Sequence, residues 1–300
     1  MLARSLIAAL ALASPLSVAA PDNPIAHHEE GFTSHDVSFP SHGVTLRGTF
    51  FISNKTPTFA GAVWVAGAGQ ALRETYLTPI LAERGLAVLT YDKRGVGESG
   101  GVYAGGEVHT NNVTLENLTL LADDAAAALH TLSAEKQMRG VLLGFVGVSQ
   151  AGWIIPMAAL KSPQARFMVL WSGAVETTHE NVLFEDTAEP DPAFWDHHTH
   201  DEVPKIMAGV PDQFDWASVD PHESLSRLRI PGLWMFGGRD SNVNVDLAIE
   251  RLKGLIAAGH SNYSYRLFPD YDHQLGGHKA DIVDPSIAWI RRAIANPQSP

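Results

Sequence analysis

Ser149 stands in the stretch Gly147-Val148-Ser149-Gln150-Ala151, between an apolar run over 141–146 and a helix-like segment over 153–160. Strand, tight turn with a serine at its tip, then helix is the arrangement that presents a hydroxyl for nucleophilic attack on an acyl group. Such a turn brings strand and helix so close that a branched side chain two residues either side of the serine would clash. Those two positions are Gly147 and Ala151. An ordinary glycine turn with a surface serine has the same local sequence, so partners must decide. A serine hydroxyl attacks only when a base takes its proton and a third group orients that base. Asp240 follows 230–238, a buried-looking strand that ends in glycines, and His273 lies just past 263–268, an alternating strand. Serine, acid and histidine thus occur in the chain order of an elbow-bearing fold. Each sits at the carboxyl end of its own predicted strand, a shared placement harder to reach by chance than any single motif.

Other residues compete for these parts. There are 14 histidines in the chain, and a lone one is more often a surface or capping residue than a base. Asp272 is set aside as the acid because a residue adjacent to His273 points to the other side of an extended chain. Asp246 belongs to the next predicted helix, whose apolar face is Val245, Ile249, Leu252 and Leu255.

With these residues in place the chain resembles the α/β-hydrolases, and most closely a group of exported bacterial serine esterases of that fold. The resemblance is carried by Tyr91-Asp92-Lys93-Arg94-Gly95-Val96-Gly97-Glu98-Ser99-Gly100 and by 147–156. Asp220-Pro221, Ile230-Pro231, Phe236-Gly237-Gly238-Arg239-Asp240 and Asp272-His273 complete it, over roughly residues 60 to 290. It implies an α/β fold with a mostly parallel central sheet, helices on both faces and a cap insertion. It also implies carboxylester hydrolysis through an acyl-enzyme on Ser149, Asp240 and His273, with a small-molecule ester as substrate, no cofactor and no metal. One departure stands out. The first long strand, 60–65, leads in such enzymes into His-Gly, whereas here it leads into Ala66-Gly67-Ala68-Gly69. An oxyanion is held by backbone N–H groups, so the hole does not need that side chain. Its donors are assigned to Ala68 and Gln150, and losing the histidine is expected to loosen the loop that aims Ala68.

The elements that must position these groups follow from hydrophobic patterning. A hairpin is expected over 36–40 and 44–52, then strand 60–65, a helix near 71–84 and strand 86–91. After a helix over 118–132 come the elbow strand and helix, strand 166–171, strand 232–237, a helix over 244–257, strand 263–268 and a closing helix near 284–295. Strands alternating with helices mean a mostly parallel sheet covered on both faces. With 300 residues of which 45% are hydrophobic, the chain can bury one large core of this kind.

Residues 1–20 have a positive start, an apolar stretch and the small-residue site Ser17-Val18-Ala19, the pattern of a secretory signal peptide cleaved near Ala19 or Ala20. No other run is long and apolar enough to cross a bilayer. With no cysteine anywhere, no disulfide can form, which favours a bacterial periplasm or the medium over a eukaryotic secretory route. The expected organisation is signal peptide 1–20, hydrolase core 21–174, cap 175–224 and hydrolase core 225–300. Oligomeric state is not written in these patterns.

The insertion 175–224 concentrates the charge. From Glu176 to Glu223 thirteen acidic residues face a single lysine, Lys205, a net −12 that equals the formal charge of the whole chain. Such a cap is expected to disfavour polyanions such as acyl-CoA or nucleic acid and to admit neutral or cationic esters. A solvated outer face is the plainer alternative. Phe184, Phe194, Trp195, Phe214 and Trp216 in the same segment are expected to line an acyl pocket.

Three further patterns have weaker claims. Gly95-Val96-Gly97-Glu98-Ser99-Gly100 satisfies a dinucleotide fingerprint, but glycines rather than a helix follow it. Ser133-Ala134-Glu135-Lys136 matches S-x-x-K without its companion motifs. Residues 196–202 supply metal-ligand types without a fixed helical spacing, so a polar loop is the better account. A serine peptidase or amidase on short peptides uses the same elbow and triad, although the sequence offers no propeller domain of the kind prolyl oligopeptidases carry. A non-catalytic binding protein on this fold usually lacks a triad member, and here all three residues are present.

Overall fold

Apolar residues at alternate positions of the central strands decide the layering. The computed structural model describes residues 26–105, 111–275 and 279–295, and the predicted signal peptide lies outside them. The described chain runs β1 (Ala26–His28), β2 (Phe32–Ser41), β3 (Val44–Ser53), β4 (Ala60–Val65), α1 (Leu77–Glu83) and β5 (Leu86–Tyr91). It continues through α2 (Leu115–Ala134), β6 (Leu142–Val148), α3 (Ala151–Lys161) and β7 (Ala165–Trp171). Four helices then interrupt the alternation: α4 (Thr178–Ala188), α5 (Phe194–His197), α6 (Val203–Met207) and α7 (His222–Leu225). The alternation resumes with β8 (Gly232–Gly237), α8 (Val245–Ala257), β9 (Tyr263–Phe268) and α9 (Lys279–Ala295).

The described strands form one nine-stranded sheet in the order β1-β2-β3-β5-β4-β6-β7-β8-β9. β1 through β3 and the β3–β5 pair are antiparallel, and every other pairing is parallel. One face carries Val63, Val65, Phe145, Met168, Leu170, Trp234 and Phe236, and packs against α2, α3 and α8. The opposite face carries Ala62, Trp64, Val146, Phe167, Val169, Trp171, Leu233 and Met235, and packs against α1 and α9. Because consecutive strand residues point to opposite faces, one run of apolar residues feeds both cores. Each fully buried Leu, Val or Phe among them contributes on the order of 1.5–3 kcal/mol.

β2, α2 and α9 each begin a few residues earlier than the sequence expectation, and two elements differ more deeply. The helix foreseen near 71–84 starts only at Leu77, because 71–74 are tied across the end of β5. Arg73 N–H donates to Asp92 (2.9 Å), Glu74 N–H to Thr90 Oγ1 (2.8 Å), and Lys93 N–H to the Ala71 carbonyl (3.0 Å). The Glu74 carboxylate then accepts from the Tyr76 and Leu77 amides and opens the helix there. β1 was not foreseen, since Ala-His-His has no apolar alternation to announce it.

The turn after β5 is fixed by a buried ion pair. Arg94 donates through Nε to Asp124 of α2 (3.0 Å) and through Nη2 to the same carboxylate, while Ser41 Oγ donates to Asp124 at 2.5 Å. Their side chains are 7% and 0% exposed, so neither charge can fall back on water. Arg94→Met is therefore expected to cost about 3–5 kcal/mol, because it strands the Asp124 charge in the core. Urea unfolding checks this, and a change below about 1 kcal/mol would show that the pair does not organise the turn.

Candidate active site

Ser149 occupies the left-handed region with φ at 55°, a conformation that costs a residue other than glycine about 1–3 kcal/mol. Three backbone bonds hold it there. Its N–H donates to Trp171 O (3.0 Å), and its carbonyl accepts from Gly152 N–H (2.9 Å) and Ala174 N–H (3.3 Å). A Cβ at Gly147 would lie 2.6 Å from the Ala151 Cβ and 2.7 Å from the Val65 carbonyl oxygen. The close approach of β6 and α3 expected from Gly147 and Ala151 is thus present. Gly67, across the turn, would place a Cβ 3.2 Å from the Ser149 Cβ, so a bare backbone is what lets that loop lie against the serine.

Asp240 and His273 are brought together from the ends of β8 and β9. His273 Nδ1 donates to both Asp240 carboxylate oxygens, at 2.8 and 3.0 Å. Asp240 is fully buried, and its Oδ1 also accepts the Asn242 and Val243 amides, both at 2.8 Å. With the proton held on Nδ1, the neutral ring leaves Nε2 as its basic atom. Burial pulls the His273 pKa down, but the Asp240 charge and hydrogen bond, helped by Glu185 and Asp272, outweigh it and leave the pKa above the ordinary imidazole value. Ser172, itself left-handed with φ at 47°, donates through Oγ to the His273 carbonyl at 2.8 Å. Trp195 Nε1 donates to the Asp240 carbonyl at 2.9 Å. Ser172 was not singled out in the sequence, and Trp195 was expected in an acyl pocket rather than here, because both contacts are with backbone atoms far away in the chain.

Ser149 and His273 line one cavity of about 730 Å³, together with Gly67, Ala68, Gln150 and the rings of Trp64, Trp153 and Trp171. No hydrogen bond joins Ser149 Oγ to His273 Nε2 among the described residues. The amides of Ala68 and Gln150 donate to no protein acceptor there either, and both residues face the cavity. Contrary to the expected loosening, the loop after β4 is held from beneath: Lys93 Nζ donates to the Gly67 carbonyl at 2.5 Å and to Gln150 Oε1 at 3.1 Å.

The aromatic residues of the insertion do not line the cavity, which corrects the expectation for them. Phe184, Phe194 and Trp195 pack on one another in a small separate core. Phe214 and Trp216 pack around His179, the first tilted and the second edge-on. The cavity's tryptophans come instead from β4, β7 and α3, and Tyr76 joins them from the start of α1. From the insertion it is Asn181 and Glu185 of α4 that reach its wall. Many of the segment's acids are engaged locally: Glu180 and Asp220 with Arg251, Asp196 with Arg239, and Asp212 with His179. His197 meets Asp191 and His200 meets Asp246, so the histidines and acids of 196–202 go to separate partners. The 95–100 segment folds back on itself through Gly95 N–H to Gly100 O (3.0 Å), and the described residues directly after it, 101–105, form no helix.

This sheet, its covering helices and its serine turn define an α/β-hydrolase. The sequence profile of the prolyl oligopeptidase family matches residues 74–297, three quarters of the chain, and the chain belongs to that family of hydrolases. An esterase of Pyrococcus furiosus has a similar structure, with a TM-score of 0.63 at 14% identity over 87% of this chain and 91% of that one. Acetyl xylan esterase 1 from Thermoanaerobacterium sp. JW/SL YS485 aligns with a TM-score of 0.60 at 13% identity, over 89% and 88%. The acylaminoacyl peptidase of Pyrococcus horikoshii gives 0.61 at 13%, covering 88% of this chain but 42% of that longer one. No curated protein gives a significant sequence match.

Glu176 opens the insertion and is fully buried. Burial pushes its carboxyl up to about 7, against hydrogen bonds from Val175 N–H and Asn181 Nδ2, and the nearby Asp240 charge pushes the same way. Its folded pKa therefore lies above its ordinary 4.5, so the stability it contributes is full below that value and is lost as pH rises through about 7. Glu176→Gln, which cannot ionise, is expected to gain melting temperature relative to wild type between about pH 5 and about pH 8. A difference that stays constant across that range would show that Glu176 does not titrate there.

Proposed function

We propose that this hydrolase cleaves small neutral carboxylic esters through an acyl-enzyme on Ser149, with His273 as base and Asp240 as its orienting acid. The observation that carries the reading is the strained Ser149 on the wall of the same cavity as a His273 whose Nδ1 is already engaged by Asp240. His273 Nε2 takes the Ser149 proton as Oγ attacks the ester carbonyl, and the Ala68 and Gln150 amides receive the oxyanion. The imidazolium then protonates the departing alcohol. A water deprotonated by His273 attacks the acyl-enzyme and releases the acid, restoring Ser149. Direct contact between Oγ and Nε2 is expected to tighten when substrate fills the cavity.

Esters are favoured over peptides because two esterases share nearly their whole length with this chain. The acylaminoacyl peptidase has more than half of its length outside the match. A cavity of about 730 Å³ walled by tryptophans suits a compact acyl group. Glu185 at its wall is consistent with neutral or cationic substrates rather than polyanions. The second reading, an amidase or peptidase on short peptides, draws on the family match itself. Export to a periplasm or the medium, with 175–224 as a cap, belongs to the same proposal and rests on residues 1–20 and the absence of cysteine.

Hydrolysis of p-nitrophenyl esters from acetate to palmitate, by wild type and Ser149→Ala, tests the reading. Short-chain turnover is expected, with a loss on the order of 10⁶ in kcat in the variant if the three residues act as a unit. Faster cleavage of N-acyl peptide anilides than of any ester would move the assignment to the second reading, and wild-type turnover by Ser149→Ala would end both. The base works unprotonated and its pKa is raised, so kcat/KM should climb with pH through a value above the ordinary imidazole pKa. Asp240→Asn is expected to cost on the order of 10⁴ and to move that limb to lower pH. An acid limb that does not move would remove Asp240 from its role.

A further inference from the structure

We infer that Lys93 is the positioning residue of the oxyanion hole, aiming both of its amide donors from behind; this rests on the proposed function above. Three observations converge on it. The first is the peptide unit that Lys93 holds. Gly67 C=O and Ala68 N–H belong to one planar trans peptide and point in opposite directions. Lys93 Nζ binds the Gly67 oxygen at 2.5 Å from a site 5% exposed, and Lys93 is not among the residues of the cavity wall. Drawing the carbonyl inward turns the Ala68 N–H outward, toward the cavity that Ala68 lines.

The second observation is that the same ammonium reaches the other donor's residue. Gln150 Oε1 accepts from Lys93 Nζ at 3.1 Å, and Gln150 Nε2 donates to the Asn112 carbonyl at 2.9 Å. The side chain of Gln150, 2% exposed, is thereby fixed at both ends of its amide, and its backbone N–H stands at the mouth of α3. The third is that the Lys93 backbone N–H donates to Ala71 O at 3.0 Å. One residue thus clamps the loop 67–71 at both ends, where the sequence has Ala66 instead of a histidine. Lys93 shares the lining of a second, small cavity with Val65, Ala66, Tyr91, Leu121 and Ile154, and at a buried site hydrogen bonds from a charged donor are strong. Lys93 touches no reacting atom, so it acts through the two amides.

The test compares wild type, Lys93→Met and Ser149→Ala, each with its melting temperature measured. Three readouts are taken: the rate of serine labelling by a fluorophosphonate, kcat and KM for p-nitrophenyl butyrate, and affinity for a trifluoromethyl ketone whose hemiketal oxygen occupies the hole. Lys93→Met is expected to lose about 10²–10³ in kcat, the scale of one lost oxyanion donor, with KM changed less than about threefold. Ketone affinity should fall by the same factor as kcat, which a merely structural role would not produce. Undiminished labelling and turnover in Lys93→Met overturns the inference alone, as does a kcat loss with unchanged ketone affinity. Wild type that fails to label at Ser149 overturns the functional reading and this inference with it. Should Lys93→Met not fold, Lys93→Gln, which keeps one donor at shorter reach, is read by the same ratio of kcat to ketone affinity.

Discussion

The left-handed turn at Ser149 is the constraint on which the rest of the site depends. A serine does not adopt that conformation unaided, and the surrounding backbone must hold it there. The holding contacts come from Trp171 at the end of the neighbouring strand and from Ala174 just beyond it, so the turn exists only when β6 and β7 are paired. It also requires Gly147 against Ala151, which sets how near α3 can lie to the sheet. The same approach brings Gly67 against the Ser149 Cβ, placing the loop after β4 beside the serine. The serine turn and the loop after β4 therefore share one steric solution.

Around this turn the protein buries ionisable groups, and each of them secures a loop. Arg94 with Asp124 secures the turn after β5, Lys93 secures the loop after β4, and Asp240 gathers the amides of Asn242 and Val243 while holding His273. Glu176 bridges the start of the insertion to the loop after β8 through Asn181 and Asn244. In a low-dielectric interior a satisfied polar network restricts conformations sharply, and a partly satisfied one is costly. That is why such groups sit where loops must keep a fixed aim rather than in the middle of either core.

The insertion serves the site in a way its composition does not announce. Its rings pack on themselves, and the Trp195 indole supports the loop that carries Asp240. Its acids are held by arginines of α8 and of the β8 loop, so the segment is joined to the hydrolase core by paired charges as well as by packing. Only Asn181 and Glu185 bring its polar chemistry to the cavity wall.

Every strand but β1, the order of serine, acid and histidine, and the small residues beside Ser149 were legible in the sequence, because each is a local matter. Alternation along a buried strand, a glycine where a Cβ would clash and a strand end followed by a polar residue need no knowledge of distant neighbours. The assignment of rings to the cavity was not legible. Trp64, Trp153 and Trp171 read as ordinary core residues, while the aromatic-rich insertion read as the pocket. The parts played by Lys93, Ser172, Trp195 and Glu176 were not legible for the same reason: each acts on a backbone or side-chain group that folding alone brings near. Sequence patterning decides which face of an element is buried, since that follows from the period of the chain itself. Which groups meet across the sheet's carboxyl edge is decided by strand order and loop closure, and those are set by the packing of the whole molecule.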